Sequence, residues 1–245
     1  MLKYSKGKVI TLLALVVAIW VLFSFINCNA SLLIPKMGGT VTVSYHGDSV
    51  EIKGDEKLYF EFIQTEDIQV VKVEYFTFTE GTATQEIKDR NRALIHLPTS
   101  IKNLTVSTKV GDINVIDINL DNISAKTTIG NIKIINVSAN SVKSETVLGN
   151  TYIGNVSAKT LQAHSTVNKI DVEDINIDDI NIRSSAGNIT LLRLKPLSNY
   201  SVDVKKGTGE LKINGEIVKE MKTSTTTEKK LFVRSGTGDI TISEV

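Results

Sequence analysis

Acidic side chains are concentrated in one short stretch of the chain and are the first candidates for chemistry. Asp171 and Glu173 lie two residues apart, so on a strand both point to the same side, about 7 Å apart. Asp174 follows directly, and Asp178 and Asp179 lie slightly further along. Paired carboxylates can act as acid and base in glycoside hydrolysis, or bind calcium in a lyase. These residues define an enzymatic hypothesis, a polysaccharide hydrolase or lyase.

The histidines and two glycine-rich turns offer no stronger constellation. His46, His96 and His164 are far apart in sequence and lack the spacing of metal ligands. Gly207-Thr-Gly and Gly236-Thr-Gly do not match a phosphate-binding loop, because neither is followed by a helix with the required lysine. We therefore predict no catalytic residue, no cofactor-binding residue and no metal ligand.

The elements that carry these residues repeat every 19 residues. A tripeptide recurs at this interval, and only its fourth copy lacks the leading glycine: Gly111-Asp-Ile, Gly130-Asn-Ile, Gly149-Asn-Thr, Asn168-Lys-Ile and Gly187-Asn-Ile. Aliphatic residues recur with it, and four positions after its first residue stand Val115, Ile134, Ile153, Val172 and Leu191. Matched columns at a fixed interval indicate a repeat architecture.

Within each repeat, the apolar positions follow one another in steps of two and three residues. Steps of two are typical of strands, and a step of three leaves one residue at which the chain can turn. Asn, Asp and Gly occupy these turn positions and tolerate left-handed backbone geometry. The pattern predicts an all-β fold, a single-stranded parallel β-solenoid (β-helix) with coils of about 19 residues. A β-sandwich with evenly spaced strands is the alternative.

The predicted register places the acidic residues and His164 on the outer surface. Their counterparts in other coils are Asn114, Lys133 and Tyr152 for Asp171, then Ile116, Ile135 and Gly154 for Glu173, and Lys126, Glu145 and Arg183 for His164. No acidic patch continues from coil to coil. We therefore expect solvated strand faces there rather than an active site.

The repeat pattern and the composition divide the chain after residue 26 into three segments. Residues 100–245 are assigned to the solenoid; beyond Pro196 two related units, beginning at Gly207 and Gly236, predict two further coils with an insertion over 217–230 between them. Residues 40–99 alternate like strands and are rich in aromatic residues, which predicts an N-terminal β cap. Residues 27–39 are predicted to form a linker.

The N-terminus predicts a membrane anchor. Residues 9–26 are apolar except for Thr11 and Ser24, and as a helix they would span about 27 Å, close to the hydrocarbon core of a bilayer. The basic residues of segment 1–8 should stay in the cytoplasm, with the solenoid outside. The alternative is a signal peptide cleaved near Ala30, followed by secretion.

One stretch carries a family resemblance. Leu97-Pro-Thr-Ser-Ile-Lys-Asn-Leu-Thr-Val, which runs into Ser107-Thr-Lys-Val-Gly-Asp-Ile-Asn-Val and the recurring Gly-Asp/Asn-Ile units, resembles a bacterial adhesin family of unknown function. The resemblance covers residues 40–245. It implies a membrane-anchored or secreted β-solenoid and supplies no catalytic residues.

Charge limits the partners. The net charge is +1, and removing the three lysines of segment 1–8 leaves about −2, without the basic stripe that nucleic-acid binding requires. We expect a non-enzymatic, adhesin-like binding or scaffold protein at the cell envelope, whose ligand is an envelope protein or polysaccharide. The alternative is the polysaccharide-active enzyme described above.

Overall fold

The structure, a computed structural model, describes residues 38–66, 70–73, 76–88, 92–224 and 226–245. The predicted anchor over 9–26, the basic segment 1–8 and the cleavage position at Ala30 lie outside these residues. In the described part of the chain, no helix has the length and apolar character needed to span a bilayer.

Strands form nearly all of the regular structure among the described residues, with one 3-10 helix at Leu197–Asn199. In chain order they are β1 (Gly38–His46), β2 (Ser49–Lys57), β3 (Tyr59–Thr65), β4 (Val71–Val73), β5 (Phe76–Phe78), β6 (Gly81–Lys88), β7 (Arg92–Pro98), β8 (Asn103–Val110), β9 (Ile113–Ile116), β10 (Asn122–Ile129), β11 (Ile132–Ser138), β12 (Ser141–Leu148), β13 (Thr151–Val167), β14 (Ile170–Ala186), β15 (Ile189–Leu194), β16 (Ser201–Thr208), β17 (Leu211–Ile213), β18 (Glu216–Val218), β19 (Met221–Thr223), β20 (Lys230–Thr237) and β21 (Ile240–Glu244). The prediction of an all-β, solenoid-like fold is confirmed.

Two long ladders of mostly parallel strands run through the molecule. The front ladder pairs β2, β8, β10, β12, the second halves of β13 and β14, then β20 and β16. The back ladder pairs β7, β3, β9, β11, the first halves of β13 and β14, then β15, β21 and β17. Because the chain passes from one ladder to the other in each repeat, their inward side chains share one core.

The register follows the interval read from the sequence. Ile134 pairs with Val115 on one side and with Ile153 on the other, and all three are fully buried. Lys133 points outward and is exposed. The small residues Ala125, Ser144 and Ala163 form a buried column, as their spacing predicted.

The recurring glycines meet at one corner, where consecutive coils are in backbone contact. A Cβ on Gly130 would lie 2.1 Å from the carbonyl oxygen of Gly111, and one on Gly149 would lie 1.8 Å from that of Gly130. Gly130 also has φ +149°, a conformation that L side chains rarely adopt. Asn168, which replaces the fourth glycine, has φ +90°. At Gly111, Gly130 and Gly149 both the close contact and the positive φ favour glycine, whereas at Gly187 only the contact does.

Asn and Asp side chains link the coils at the same corner. The backbone N–H of Asn131 donates to Asp112 Oδ1 at 2.7 Å, and that of Asn150 donates to Asn131 Oδ1 at 3.0 Å. Each side-chain oxygen thereby accepts a hydrogen bond from the next coil. Lys169 interrupts this series because its side chain contains no acceptor.

Both ends of the ladders are covered by antiparallel strands. At the N-terminal end, β1 and β6 extend the front ladder, while β4 and β5 extend the back ladder. At the other end, β19 pairs with β16 and β18 with β17. The predicted insertion over 217–230 thus contributes to these terminal strands.

The last two coils are stacked in reverse order. The front ladder runs from β14 to β20 and only then to β16, although β16 precedes β20 in the chain. The back ladder does the same with β21 and β17. The two units predicted beyond Pro196 contribute β16 with β17 and β20 with β21 to the ladders, but no feature of the sequence indicated their spatial order.

Candidate functional site

Asp171, Glu173 and Asp174 lie on the outer surface of the back ladder, as their register predicted. Asp171 is aligned with Tyr152, and Glu173 is aligned with Gly154. Because Gly154 has no side chain, the Tyr152 ring lies over it, and the Tyr152 hydroxyl donates a hydrogen bond to Glu173. Asp171 and Glu173 are partly exposed, whereas Asp174 is exposed.

Basic residues neutralise these carboxylates. Arg193, one coil further on, donates to Asp174 Oδ1 through Nε at 2.6 Å and to Glu173 Oε2 through Nη2 at 2.9 Å. Lys169 Nζ lies 2.6 Å from Asp171 Oδ2, and Lys229 Nζ lies 2.8 Å from Asp178 Oδ1. Asp179 is aligned with Lys230 in the front ladder.

The electrostatics of this cluster do not resemble a poised acid–base pair. Hydrogen bonding to Arg193 lowers the pKa of Asp174, and hydrogen bonding to Glu173 raises the pKa of Tyr152. A general acid working near neutral pH needs a carboxyl pKa that is raised. Among the described residues, no group of three or more metal-ligating side chains is placed to hold an ion. The cluster is an ion-paired network between neighbouring coils.

The histidines do not come together. His164 lies on the front ladder between Glu145 and Arg183. His46 ends β1, and His96 lies on β7 at the N-terminal end of the back ladder. Gly209 and Gly238, from the two Gly-Thr-Gly segments, stack at the glycine corner. Each segment ends a front-ladder strand, β16 or β20, and leads into the corner turn.

The front ladder carries a concave area that encloses a volume of about 390 Å³ and spans three consecutive coils. Its rims are two columns of outward side chains, and its floor is the backbone of Ser144 and Ala163, whose side chains are buried in the core. The rim residues are Lys143, Gln162 and Asn181 on one side and Glu145, His164 and Arg183 on the other. Glu145 is held by Lys143 at 2.8 Å and Lys126 at 3.0 Å, and hydrogen bonds to Lys143 and then Lys126 lower its pKa.

A pair of arginines lies at the end of this area. The guanidinium carbon of Arg183 lies 4.8 Å from the centroid of the Phe232 ring, and that of Arg234 lies 4.6 Å from it. Arg183 donates through Nε to Asn181 Oδ1 at 3.1 Å, and Arg234 donates to Asp203 Oδ2 at 2.8 Å. The arrangement fixes two cationic groups beside the concave area.

Sequence reasoning missed two of these features. Arg193 stands 19 residues after Asp174, so the repeat interval itself could have identified it as the partner. The contact between Arg183 and Phe232 could not have been found in this way, because it depends on the reversed order of the last coils.

A scan against family models matches residues 22–243 to the Toastrack DUF4097 family, a domain family of unknown function, and the chain belongs to that family. No curated protein and no solved structure matched the chain.

Proposed function

We propose that this Toastrack DUF4097 chain is a non-enzymatic binding or scaffold protein of the cell envelope, adhesin-like in that a rigid single-stranded parallel β-solenoid presents the binding surface. In this proposal, residues 9–26 anchor the chain as a transmembrane helix, and the solenoid lies outside the cytoplasm. The apolar length of that segment and the basic residues before it support the topology.

The concave area of the front ladder is the observation that carries the proposal. Gln162, His164 and Asn181 place amide and imidazole groups around it, and Arg183 adds a cation. Such groups donate and accept hydrogen bonds but do not by themselves form a catalytic constellation. They suit recognition of a polar ligand laid across the coils.

The construction of the ladders supports the same role. Backbone hydrogen bonds join each repeat to its neighbours on both sides, and the corner side chains add further bonds between coils. A surface already fixed before binding loses little conformational entropy when a ligand arrives. In this proposal, the ion pairs of Asp171, Glu173 and Asp174 stabilise the back ladder.

Retention of envelope components on the immobilised full chain tests the proposal. Isolated envelope polysaccharide and envelope protein are applied separately, and the chain is compared with a Gln162→Ala/His164→Ala variant. Lys133→Gln, an exposed change on the back ladder, is the matched control. We expect a fraction retained by the unmodified chain and by the control, and lost in the double variant. No retention, or equal retention by all three proteins, would contradict the proposal.

The enzymatic alternative has its own test. The purified chain is incubated with envelope polysaccharide, and new reducing ends or unsaturated products are measured. We expect none. Cleavage that disappears on combining Asp171→Asn, Glu173→Gln and Asp174→Asn would replace the binding proposal with a hydrolase or lyase.

A further inference from the structure

Three cations occupy successive positions of one outward column on the front ladder. Arg183 is aligned with Arg234, and Arg234 is aligned with Lys205 on the next strand. Neighbouring strands lie about 4.8 Å apart, and like charges directly opposite each other destabilise a sheet. The column therefore has a cost for the free protein.

The chain offsets this cost only in part. Asp203 forms an ion pair with Arg234, and both guanidinium groups lie close to the Phe232 ring, whose faces are electron-rich. Within the described residues, Arg183 forms no ion pair with a carboxylate and bonds only to the neutral amide of Asn181. An excess of positive charge thus remains at the end of the concave area.

The guanidinium groups are well suited to a carboxylate ligand. A guanidinium presents several donors in a rigid planar fork that binds a carboxylate or phosphate through two parallel hydrogen bonds. Stacking on Phe232 restricts the Arg183 and Arg234 side chains, so less rotamer freedom is lost on binding.

Polar side chains along the same surface favour a polymer that carries hydroxyl groups over one that lacks them. Gln162, His164 and Asn181 border the concave area next to the cations. Amide and imidazole groups can donate to and accept from sugar hydroxyls, which an inorganic phosphate chain lacks. The column runs across the strands, so the ligand must extend over several coils.

We infer that the front ladder binds a linear polysaccharide bearing carboxylate groups, with its anionic groups on Arg183, Arg234 and Lys205 and its hydroxyls at the concave area. This inference rests on the proposed function, which it narrows to one ligand chemistry.

Binding of fluorescently labelled polygalacturonate to the purified full chain tests the inference. Fully methyl-esterified polygalacturonate has the same backbone without the charge, and inorganic polyphosphate has charge without sugar. We expect saturable binding of polygalacturonate and at least tenfold weaker binding of each other polymer. Arg183→Gln should weaken polygalacturonate binding at least tenfold, and Arg183→Lys should also weaken it because the fork is lost. Lys133→Gln, which removes an exposed cation from the back ladder, should change it less than twofold.

The outcomes distinguish failure of this inference from failure of the proposed binding function. No binding of polygalacturonate, or equal weakening by Lys133→Gln and Arg183→Gln, overturns the inference; so does equal binding of polyphosphate or of the esterified polymer. If an envelope fraction is still retained through Gln162 and His164, the binding function survives with another ligand. If neither polymer nor envelope fraction is retained, both fail.

Discussion

Replacement of Gly130 by alanine tests whether backbone contact or backbone conformation makes the glycine corner indispensable. The new Cβ would lie 2.1 Å from the carbonyl oxygen of Gly111, and this backbone atom can move only if the coil moves. Gly81 offers the matched comparison, since its φ is +125° but nothing lies within 4 Å of a Cβ built there. An unfavourable conformation costs about 1–3 kcal/mol, and forced displacement of packed groups costs about 1–3 kcal/mol more.

We therefore expect Gly81→Ala to lower the free energy of unfolding by about 2 kcal/mol and Gly130→Ala to lower it by about 4 kcal/mol. Urea titrations followed by far-ultraviolet circular dichroism measure both, provided that the slope of the free energy against urea is unchanged. Gly130→Asn should fall between them, because Asn168 occupies the equivalent corner at φ +90°. Equal losses for Gly81→Ala and Gly130→Ala would refute the contact argument and leave conformation as the sole cause.

Three further predictions concern the core, the corner and the ion-paired cluster. Ile134→Asp buries an unpaired carboxylate and should cost about 4 kcal/mol or more in a urea titration, whereas the exposed change Lys133→Asp should cost less than about 0.5 kcal/mol; equal effects would refute the inward–outward assignment. Lys169→Asn should restore the corner series, and its free energy of unfolding should exceed that of Lys169→Ala, which loses the same ion pair with Asp171, by about 0.5–1.5 kcal/mol; equal values would show that the series does not stabilise the stack. Arg193→Gln should raise the pKa of Asp174, which an NMR titration of its carboxyl group measures. Because the pKa of Asp174 is lower in the folded than in the unfolded chain, its ion pair contributes stability above the unfolded pKa, and this stability is lost as pH falls through the folded pKa. The difference in free energy of unfolding between variant and parent should therefore vanish in acid.

Local periodicity was sufficient to predict everything that depends on the fixed interval. The inward position of Ile134, the outward position of Lys133 and the contact between Gly111 and Gly130 all follow from counting 19 residues, because parallel coils in register repeat each side-chain direction. The same count would have found Arg193 beside Asp174 in the following coil, although the counterparts compared for Asp171 and Glu173 all lay in earlier coils. The candidate site on the back ladder could therefore have been recognised from the sequence as an ion-paired network.

The columns that border the concave area follow the same interval, but the approach of Arg234 and Phe232 to Arg183 could not be predicted in this way. Arg183 and Arg234 are 51 residues apart and become neighbours only because β20 inserts between β14 and β16. No local pattern encodes this exchange, since either order of the last two coils preserves the apolar columns. Arg183 would otherwise align with Lys205, and Phe232 would lie one strand further away. The exchange places an aromatic ring against the first arginine of the cationic column. The reversed order of two otherwise similar coils thus builds the cationic end of the surface to which we assign ligand binding. The antiparallel strands β18 and β19, which precede β20 in the chain, cover the end of the stack that the exchange creates.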